Sequence, residues 1–384
     1  MDASKFTNER TGSLVSISSH SSGFAFIPNP LPPDWEFSND LWPMVAEARQ
    51  ILGELDGIGR TVPTPDLLLQ PLQKREALTS SSLEGTYATP EQMFLFEFQQ
   101  QKPRATADAK DPTLEVVNYS EALRNGYLYL KEKPLSLDLV CKLHQWLMGG
   151  VHGEEQTAGK FRTGQVQIGS EARFVPPPVE DMMPCLENFE QRLQVQDDAF
   201  DSLVRCYLMH YQFEAIHPFR DGNGRVGRLL LALMTGHWCG MSMPWLYMSA
   251  FFEKHKDEYV GFLFNVSARG EWTEWIRFCL RGTISQAKDA IRRCDLLNSL
   301  KELMHKKADG GSGRLHRIVD GLFAYPLTTI PMIAKAFEIG YPTAKSDIEQ
   351  LIKMGILDHL GDSHHPKVFF ATGIAEIAYM DLDD

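Results

Sequence analysis

The stretch from Ser202 to Met234 constrains the fold more than any other part of the chain. Ser202 to Ile216 is apolar nearly all round, with Leu203, Val204, Tyr207, Leu208, Tyr211, Phe213 and Ile216, and Leu229 to Met234 repeats that character. A helix without a polar stripe has to be covered on every side, so both runs predict buried central helices around which the other elements wrap. The polar loop between them, 217 to 225, is pinned at their ends.

That loop and the helix start after it read His-Pro-Phe-Arg-Asp-Gly-Asn-Gly-Arg-Val-Gly-Arg, from His217 to Arg228. Two glycines flank Asn223, and the loop runs directly into the apolar helix. Such a loop can turn its backbone N–H groups inward, and the helix N-terminus adds a partial positive charge, so together they make an anion nest suited to phosphate. Arg225 and Arg228 lie three apart, which puts two guanidinium groups on nearly one face where they can grip further phosphate oxygens. That implies at least a diphosphate and more readily a triphosphate. Asp221, just before the nest, would repel phosphate unless a divalent metal sat between them, a task magnesium performs in most nucleotide sites. His217 is the only nearby side chain that titrates near neutrality, so it is the candidate to take a proton from an attacking hydroxyl, an effect typically worth about 10²- to 10⁴-fold. Taken singly, each residue also fits a plain connecting turn with surface arginines. All of them within twelve positions between two buried helices do not.

The segment resembles the complete signature of the Fic family, His-Pro-Phe-x-Asp/Glu-Gly-Asn-Gly-Arg-x-x-Arg. The resemblance implies an α-helical core in which His217 deprotonates a Ser, Thr or Tyr hydroxyl of a target protein, which then attacks the α-phosphate of ATP and releases pyrophosphate. By the same match Asp221 holds Mg2+, Gly222, Asn223 and Gly224 surround the α- and β-phosphates, Arg225 and Arg228 hold the outer phosphates, and Val226 and Gly227 belong to the same nucleotide-binding stretch. Gly159-Lys160-Phe161-Arg162, with Val166, Ile168 and Pro176-Pro177-Pro178, resembles the family's flap, and Glu258-Tyr259 with Trp272 and Trp275 resembles its later helices. The likeness covers roughly 35 to 290. On it, His255 and Tyr259 approach adenine and ribose, although many relatives have Asn-x-x-x-Tyr-Tyr where this chain has His255 and Tyr259-Val260. The flap, 163 to 178, would pair its edge with an extended target segment and bring the hydroxyl into line with the phosphate. Ser80-Ser81-Ser82-Leu83-Glu84-Gly85 resembles the family's inhibitory motif, Ser/Thr-x-x-x-Glu-Gly/Asn, in which Glu84 pairs with Arg228 and denies it to the γ-phosphate.

The remaining pattern is mainly α. Helical spacing recurs over 38 to 55, 66 to 82, 90 to 101, 114 to 131, 137 to 147, 179 to 194 and 275 to 293, with Gly57 to Pro65 breaking the first run. Gly159 to Pro178 mixes short β-favouring runs with turn residues and predicts a small hairpin, the one such feature expected in the first 300 residues. Residues 1 to 34, rich in Ser, Thr, Asn and then Pro, predict an arm ordered in part by docking. Leu303 to Arg314 has linker composition. Beyond it, a helix at 315 to 324, a short helix after Thr328 or Thr329 running through Phe337, a third at 343 to 354, and strands at 357 to 360 and 367 to 371 around a tip with His364 and His365 make the winged-helix pattern. The expected organisation is an arm (1–34), a helical segment carrying the inhibitory helix (35–110), a Fic core (111–295) and a winged-helix-like domain (296–384).

Composition narrows the partners. No stretch approaches the roughly 18 to 20 apolar residues of a membrane span, nor does the start of the chain carry an apolar signal core, so a cytoplasmic protein is expected. Six cysteines scattered without a C-x-x-C pair read as reduced core thiols, and His210 and His237 as core residues. A formal charge of -12 argues against indiscriminate nucleic acid binding. Lys345 and Lys353 on the third C-terminal helix are balanced by Asp347 and Glu349, which suits a protein-contact or homodimer module at least as well as a DNA reader. Two rival functions stay open at this stage: a nucleotide-sensing, DNA-binding winged-helix regulator, and removal of AMP from modified protein by the same site.

Overall fold

A computed structural model describes residues 1–18, 23–61, 65–100, 112–151, 156–169, 173–195, 199–361 and 366–382. His364, His365 and residues 170–172 of the flap lie outside the described residues. The chain opens with strands β1 (Gly12–Ser16) and β2 (Phe24–Pro28), paired antiparallel with Leu14 opposite Phe26. The sequence predicts an arm here, and the difference has a physical cause. Ala25 and Phe26 are fully buried, the Phe26 ring packs on Phe6 and Phe174, and the Phe26 N–H donates to the Val175 carbonyl at 2.9 Å. A few apolar anchors suffice when a neighbouring segment offers a free backbone acceptor, and Ser-rich composition hides them.

Helices α1 (Trp42–Thr61), α2 (Asp66–Leu83), α3 (Pro90–Gln100), α4 (Pro112–Tyr129), α5 (Leu137–Met148) and α6 (Val179–Gln194) follow. α1 runs through the glycines that the sequence pattern takes as a break. Gly59 is there for packing: a Cβ on it would come within 2.2 Å of the buried Trp245 ring. The expected hairpin between α5 and α6 is reduced, among the described residues, to one antiparallel bridge between Ile168 and Phe174. Three prolines at 176 to 178 remove backbone donors, and the Gln165 side-chain amide donates to the Pro176 carbonyl at 2.9 Å in their place.

The two apolar runs form α7 (Ser202–Ile216) and α8 (Asn223–Trp238), which pack against each other at the centre. The short α9 (Ser249–Lys254) and α10 (Lys256–Arg269) lead into α11 (Trp272–Ala308). α11 continues through 295–296 and most of the linker-like stretch. Its lysines form the solvated face of an amphipathic helix whose other face buries Leu297, Met304 and Ala308, and the chain turns only at Asp309 to Gly311.

The C-terminal module comprises α12 (Gly313–Ala324), β3 (Leu327–Thr329), α13 (Ile330–Ala336), α14 (Tyr341–Lys353), β4 (Asp358–His359), β5 (Val368–Phe370) and α15 (Thr372–Tyr379). Its antiparallel sheet has the order β3-β5-β4. β3 and α15 go unannounced by the sequence pattern, being a three-residue strand and a small-residue helix. The module packs directly on α2 and α3. The Phe94 ring meets Tyr325 edge-on at 5.1 Å, the Tyr325 hydroxyl donates to the Phe94 carbonyl at 2.9 Å, and Arg75 reaches Asp289 at 3.1 Å and Asp381 at 3.4 Å. No helix among the described residues is long and apolar enough to cross a membrane, and all six cysteines are free.

Candidate active site

His217 ends α7 in the left-handed conformation (φ 50°), with its N–H still bonded to the Phe213 carbonyl at 3.0 Å. That backbone costs a non-glycine residue roughly 1–2 kcal/mol, so its neighbours have to hold it. Arg162 does so: its Nε donates to the His217 carbonyl at 2.9 Å, its backbone N–H to Pro218 at 2.9 Å and its Nη2 to Pro177 at 2.6 Å. One buried arginine thus ties the base of the flap to the residue that starts the loop.

The loop is closed from within by Asn223. Its Oδ1 accepts the Phe219 N–H at 2.8 Å and its Nδ2 donates to the Phe219 carbonyl at 2.9 Å. Its side chain therefore shapes the nest, leaving the surrounding backbone to face an anion. Gly222 (φ 74°) makes the turn into α8. His144 of α5 braces the other side of the loop. Its Nδ1 accepts the Gly159 N–H at 2.8 Å, so Nε2 carries the proton and donates to the Asp221 carbonyl at 3.1 Å, while the ring stacks on Phe219. Burial lowers the His144 pKa to about 4, which keeps this neutral tautomer across physiological pH.

The arginines are buried, not superficial. Arg225 is paired with Glu115 of α4 and lies 3.9 Å from Asp221. Arg228 donates from Nε to the Ser80 hydroxyl at 2.8 Å, and from Nη2 to the Ser80 carbonyl at 2.9 Å and to Glu84 Oε1 at 2.8 Å. Glu84 caps the C-terminus of α2 and leans over Gly224, where a Cβ would lie 2.3 Å from its Oε1. Burial would raise the Glu84 carboxyl, but the Arg228 charge and hydrogen bond hold it below its ordinary value. Val226 is fully buried among apolar neighbours and lines nothing open. Gly227 turns its carbonyl to His210 Nδ1 at 3.2 Å, so His210 Nε2 accepts from the Tyr259 hydroxyl at 2.8 Å.

A cavity opens beside this cluster. His217, Gly224, Arg228, Glu84 and Glu214 form its polar side, and Ile168, Phe174, Val260, Leu263 and Phe264, with Tyr259, its apolar side. Desolvation pushes the half-buried His217 down to about 4, which leaves it an unprotonated base at neutral pH. His255 does not line this cavity; it pairs with Glu258 at 2.9 Å and packs on Phe251. Asp221 projects outward, its side chain 62 % exposed, with Oδ1 accepting the Gly222 N–H at 2.7 Å. No cluster of three metal-ligating side chains occurs among the described residues. A lone exposed carboxylate beside an anion nest still fits magnesium, which takes one or two carboxylates and completes its shell with phosphate oxygens and water.

The sequence reading passes over His144, Glu115 and Glu214, and it names Arg162 and Ser80 only as members of the flap and inhibitory motifs, without the contacts they make. Four of them reach the loop from 55 to 148 positions away, a distance no local pattern records. Glu214 was legible only as a charge in an otherwise apolar helix.

Residues 42–128 match the family described as Fic/DOC family N-terminal, and residues 134–235 match the Fic/DOC family itself. The Protein adenylyltransferase Fic of Nematostella vectensis is 34% identical over 120 residues, 30% of this chain and 27% of that protein. Protein adenylyltransferase fic-1 of Caenorhabditis elegans is 36% identical over 124 residues, 31% of this chain and 23% of the other. The chain thus spans about a quarter of the length of these relatives. A crystal structure of a Fic family protein from Desulfovibrio desulfuricans G20 superposes over 89% of this chain and 99% of its own with a TM-score of 0.57 at 19% identity, a likeness of fold. The residues that match the two Fic/DOC family descriptions, 42–128 and 134–235, take in Glu84 and the whole loop from His217 to Arg228.

Proposed function

We propose that this chain moves AMP from ATP to a Ser, Thr or Tyr hydroxyl of a target protein, and of itself, and that the Glu84–Arg228 pair restrains the transfer. The observation that carries the reading is one cavity with two unlike sides. A neutral His217 and a guanidinium beside an anion nest stand opposite an apolar wall of a kind that accepts a purine. His217 accepts the proton of the attacking hydroxyl, while the backbone of 222 to 224 and Arg228 stabilise the charge on the phosphates. Arg225, held by Glu115, keeps the loop's outer edge and the outer phosphates together. Asp221 holds Mg2+, which neutralises phosphate charge when bound. Tyr259 forms part of the base-binding wall, and His255 acts only at its margin.

With Glu84 on Arg228, that guanidinium is not free for the γ-phosphate, and ATP settles with its α-phosphate turned from the line of attack. The exposed part of Glu84, 39 % of the side chain, also faces the cavity, where a carboxylate can orient water; this favours AMP removal as a second activity of the same site. The target docks on the flap, 163 to 178, across from His217. The C-terminal module is read as winged-helix-like and as a protein-contact or homodimer surface, not a DNA reader. On α14, Asp347 is buried against Arg314, and Lys345 is answered by Glu349 at 3.7 Å, leaving little net positive charge. Free cysteines and ATP as substrate support the reading of a cytoplasmic protein.

Incubation with ATP labelled at the α-phosphate, in parallel with ATP labelled at the γ-phosphate, tests the reading. Label reaching protein from the α position alone is expected. Label from the γ position alone would indicate a kinase reaction and overturn it.

A further inference from the structure

Glu214 takes no part in the chemistry assigned above, yet it lines the same cavity. It sits on α7 one helical turn before His217, and its Oε1 packs over Gly227, where a Cβ would approach it to 2.2 Å. That oxygen is closed off from solvent and has no hydrogen-bond partner. The groups facing it are engaged elsewhere, apart from the buried Nδ1 of His217, which also lacks a hydrogen-bond partner. From α8, Arg228 serves Ser80 and Glu84; from the end of α2, Glu84 serves Arg228. From α10, the Tyr259 hydroxyl donates to His210, and from the flap Arg173 lies over the Phe264 ring. On its own helix, Tyr211 pairs with Ser267, and His217 is a neutral base.

Arg228 is therefore the cation that Glu84 and Glu214 would have to share, and Glu84 has claimed it. A bound nucleotide does not free it, because phosphate replaces one anion with another. In either state an ionised Glu214 would be a desolvated charge without a partner, a situation proteins avoid by keeping the group neutral. Burial, against the lowering pull of the Arg228 charge and with Glu84 adding to the rise, pushes the Glu214 carboxyl up to about 8. Below that pH the group is a carboxylic acid with one O–H to give, on a cavity wall where no protein acceptor claims it.

We propose that Glu214 is a positioning residue that meets the nucleotide as a neutral acid, donating its O–H to an acceptor on the ribose or base, and that its ionisation expels the nucleotide. The inference rests on the ATP reading above. Because the bound form keeps a proton that the free form loses, affinity for ATP falls as pH rises, with a limiting slope of about tenfold per pH unit for one linked proton.

The test is the dissociation constant of ATP, with magnesium, for the full chain carrying Glu84→Gly, measured from about pH 6 to 9 with and without Glu214→Gln. Weakening of at least about tenfold between pH 7 and 9 is expected with Glu214 present, and a flat profile with glutamine, which cannot ionise. Equal slopes in the two proteins, or a flat profile in both, would overturn the inference while leaving the ATP reading intact. Failure of either protein to bind ATP at neutral pH would overturn both. A second measurement needs no substitution at Glu214 for its positive result: the ATP-saturated Glu84→Gly protein at neutral pH should show the infrared carbonyl band of a protonated carboxyl that disappears in the alkaline range. A carboxylate band alone at neutral pH would sink the proposal.

Discussion

The loop from 217 to 228 and the end of α2 from 80 to 85 meet on one guanidinium, Arg228, but they are held in opposite ways. The loop is fixed from inside. Asn223 clasps Phe219 by two hydrogen bonds, Arg162 and His144 brace its two ends, and both flanking helices are buried nearly all round. The end of α2 is held from outside. Glu84 is more than a third exposed and has one charged partner, Lys256 Nζ caps the Leu83 carbonyl at 2.6 Å, and further back α2 leans on α11 and the C-terminal module through Arg75. Buried hydrogen-bonded geometry is costly to disturb, whereas a carboxylate that is part-exposed to solvent can leave a buried guanidinium when another anion takes its place. The molecule thus combines a rigid reaction centre with an adjustable restraint.

The largest expected effect tests the rigid half. Replacing His217 with Ala should lower transfer by about 10²- to 10⁴-fold or more while ATP still binds, since backbone and arginines hold the phosphates. Label transfer and ATP titration on the same preparation check both parts. Parent-like transfer would remove His217 from the chemistry. Because burial lowers the His217 pKa to about 4, the acid limb of kcat/KM should fall below about pH 5, well under the ordinary histidine value. The corresponding stability term has the sign of a depressed histidine: it is present above the ordinary pKa and lost as pH falls through the lowered one.

Next in size comes the restraint itself. Glu84→Gly should raise self-modification and target modification by about one or more orders of magnitude and tighten productive ATP binding, because Arg228 is released to phosphate. An unchanged rate, under conditions where His217→Ala is dead, would make the Glu84–Arg228 contact purely structural. A smaller and conditional effect is expected at Asp221. Its alanine variant should be about tenfold slower at low magnesium and recover as magnesium rises, since the side chain is exposed and otherwise meets only the Gly222 N–H and, at 3.9 Å, the Arg225 guanidinium. A defect indifferent to magnesium would count against the metal assignment.

The same contrast explains what was legible in the sequence. The loop declares itself because its chemistry is packed into adjacent positions, and each residue type there answers to one demand of phosphate, metal or proton. Glu84 was legible as part of a helix-ending motif. His144, and what Arg162 and Ser80 do beyond belonging to their motifs, were not, since what makes them matter is a contact made across the fold, and arginine, histidine and serine occur everywhere. The misread elements share a cause too. Ser-rich β1, Lys-rich α11 and glycine-bearing α1 have surfaces or packing demands that dominate composition, while the few buried residues that decide their structure, such as Phe26, Met304 and Gly59, are thinly spread.

The smallest expected effect asks whether the outer hold on α2 reaches Glu84. Arg75 stands about one and a half turns before Ser80 on α2 and ties that helix to Asp289 of α11 and to Asp381 after α15; Asp289 is shared with the fully buried Arg293. Arg75→Ala removes one of these anchors without touching the cavity, and Arg293 still answers Asp289, so no carboxylate is left stranded. If the C-terminal module helps to seat α2, the variant should populate states in which Glu84 is off Arg228. Coupling between neighbouring groups of about 0.5–1 kcal/mol would raise basal transfer by roughly two- to fivefold. The decisive comparison is with Glu84→Gly. Where the restraint is already gone, loosening the helix that carries it has nothing left to release, so the double variant should match the Glu84→Gly rate. An equal gain in both backgrounds would mean that Arg75 acts on the reaction centre by another route, and no gain in the parent would confine the restraint to the contact between Glu84 and Arg228.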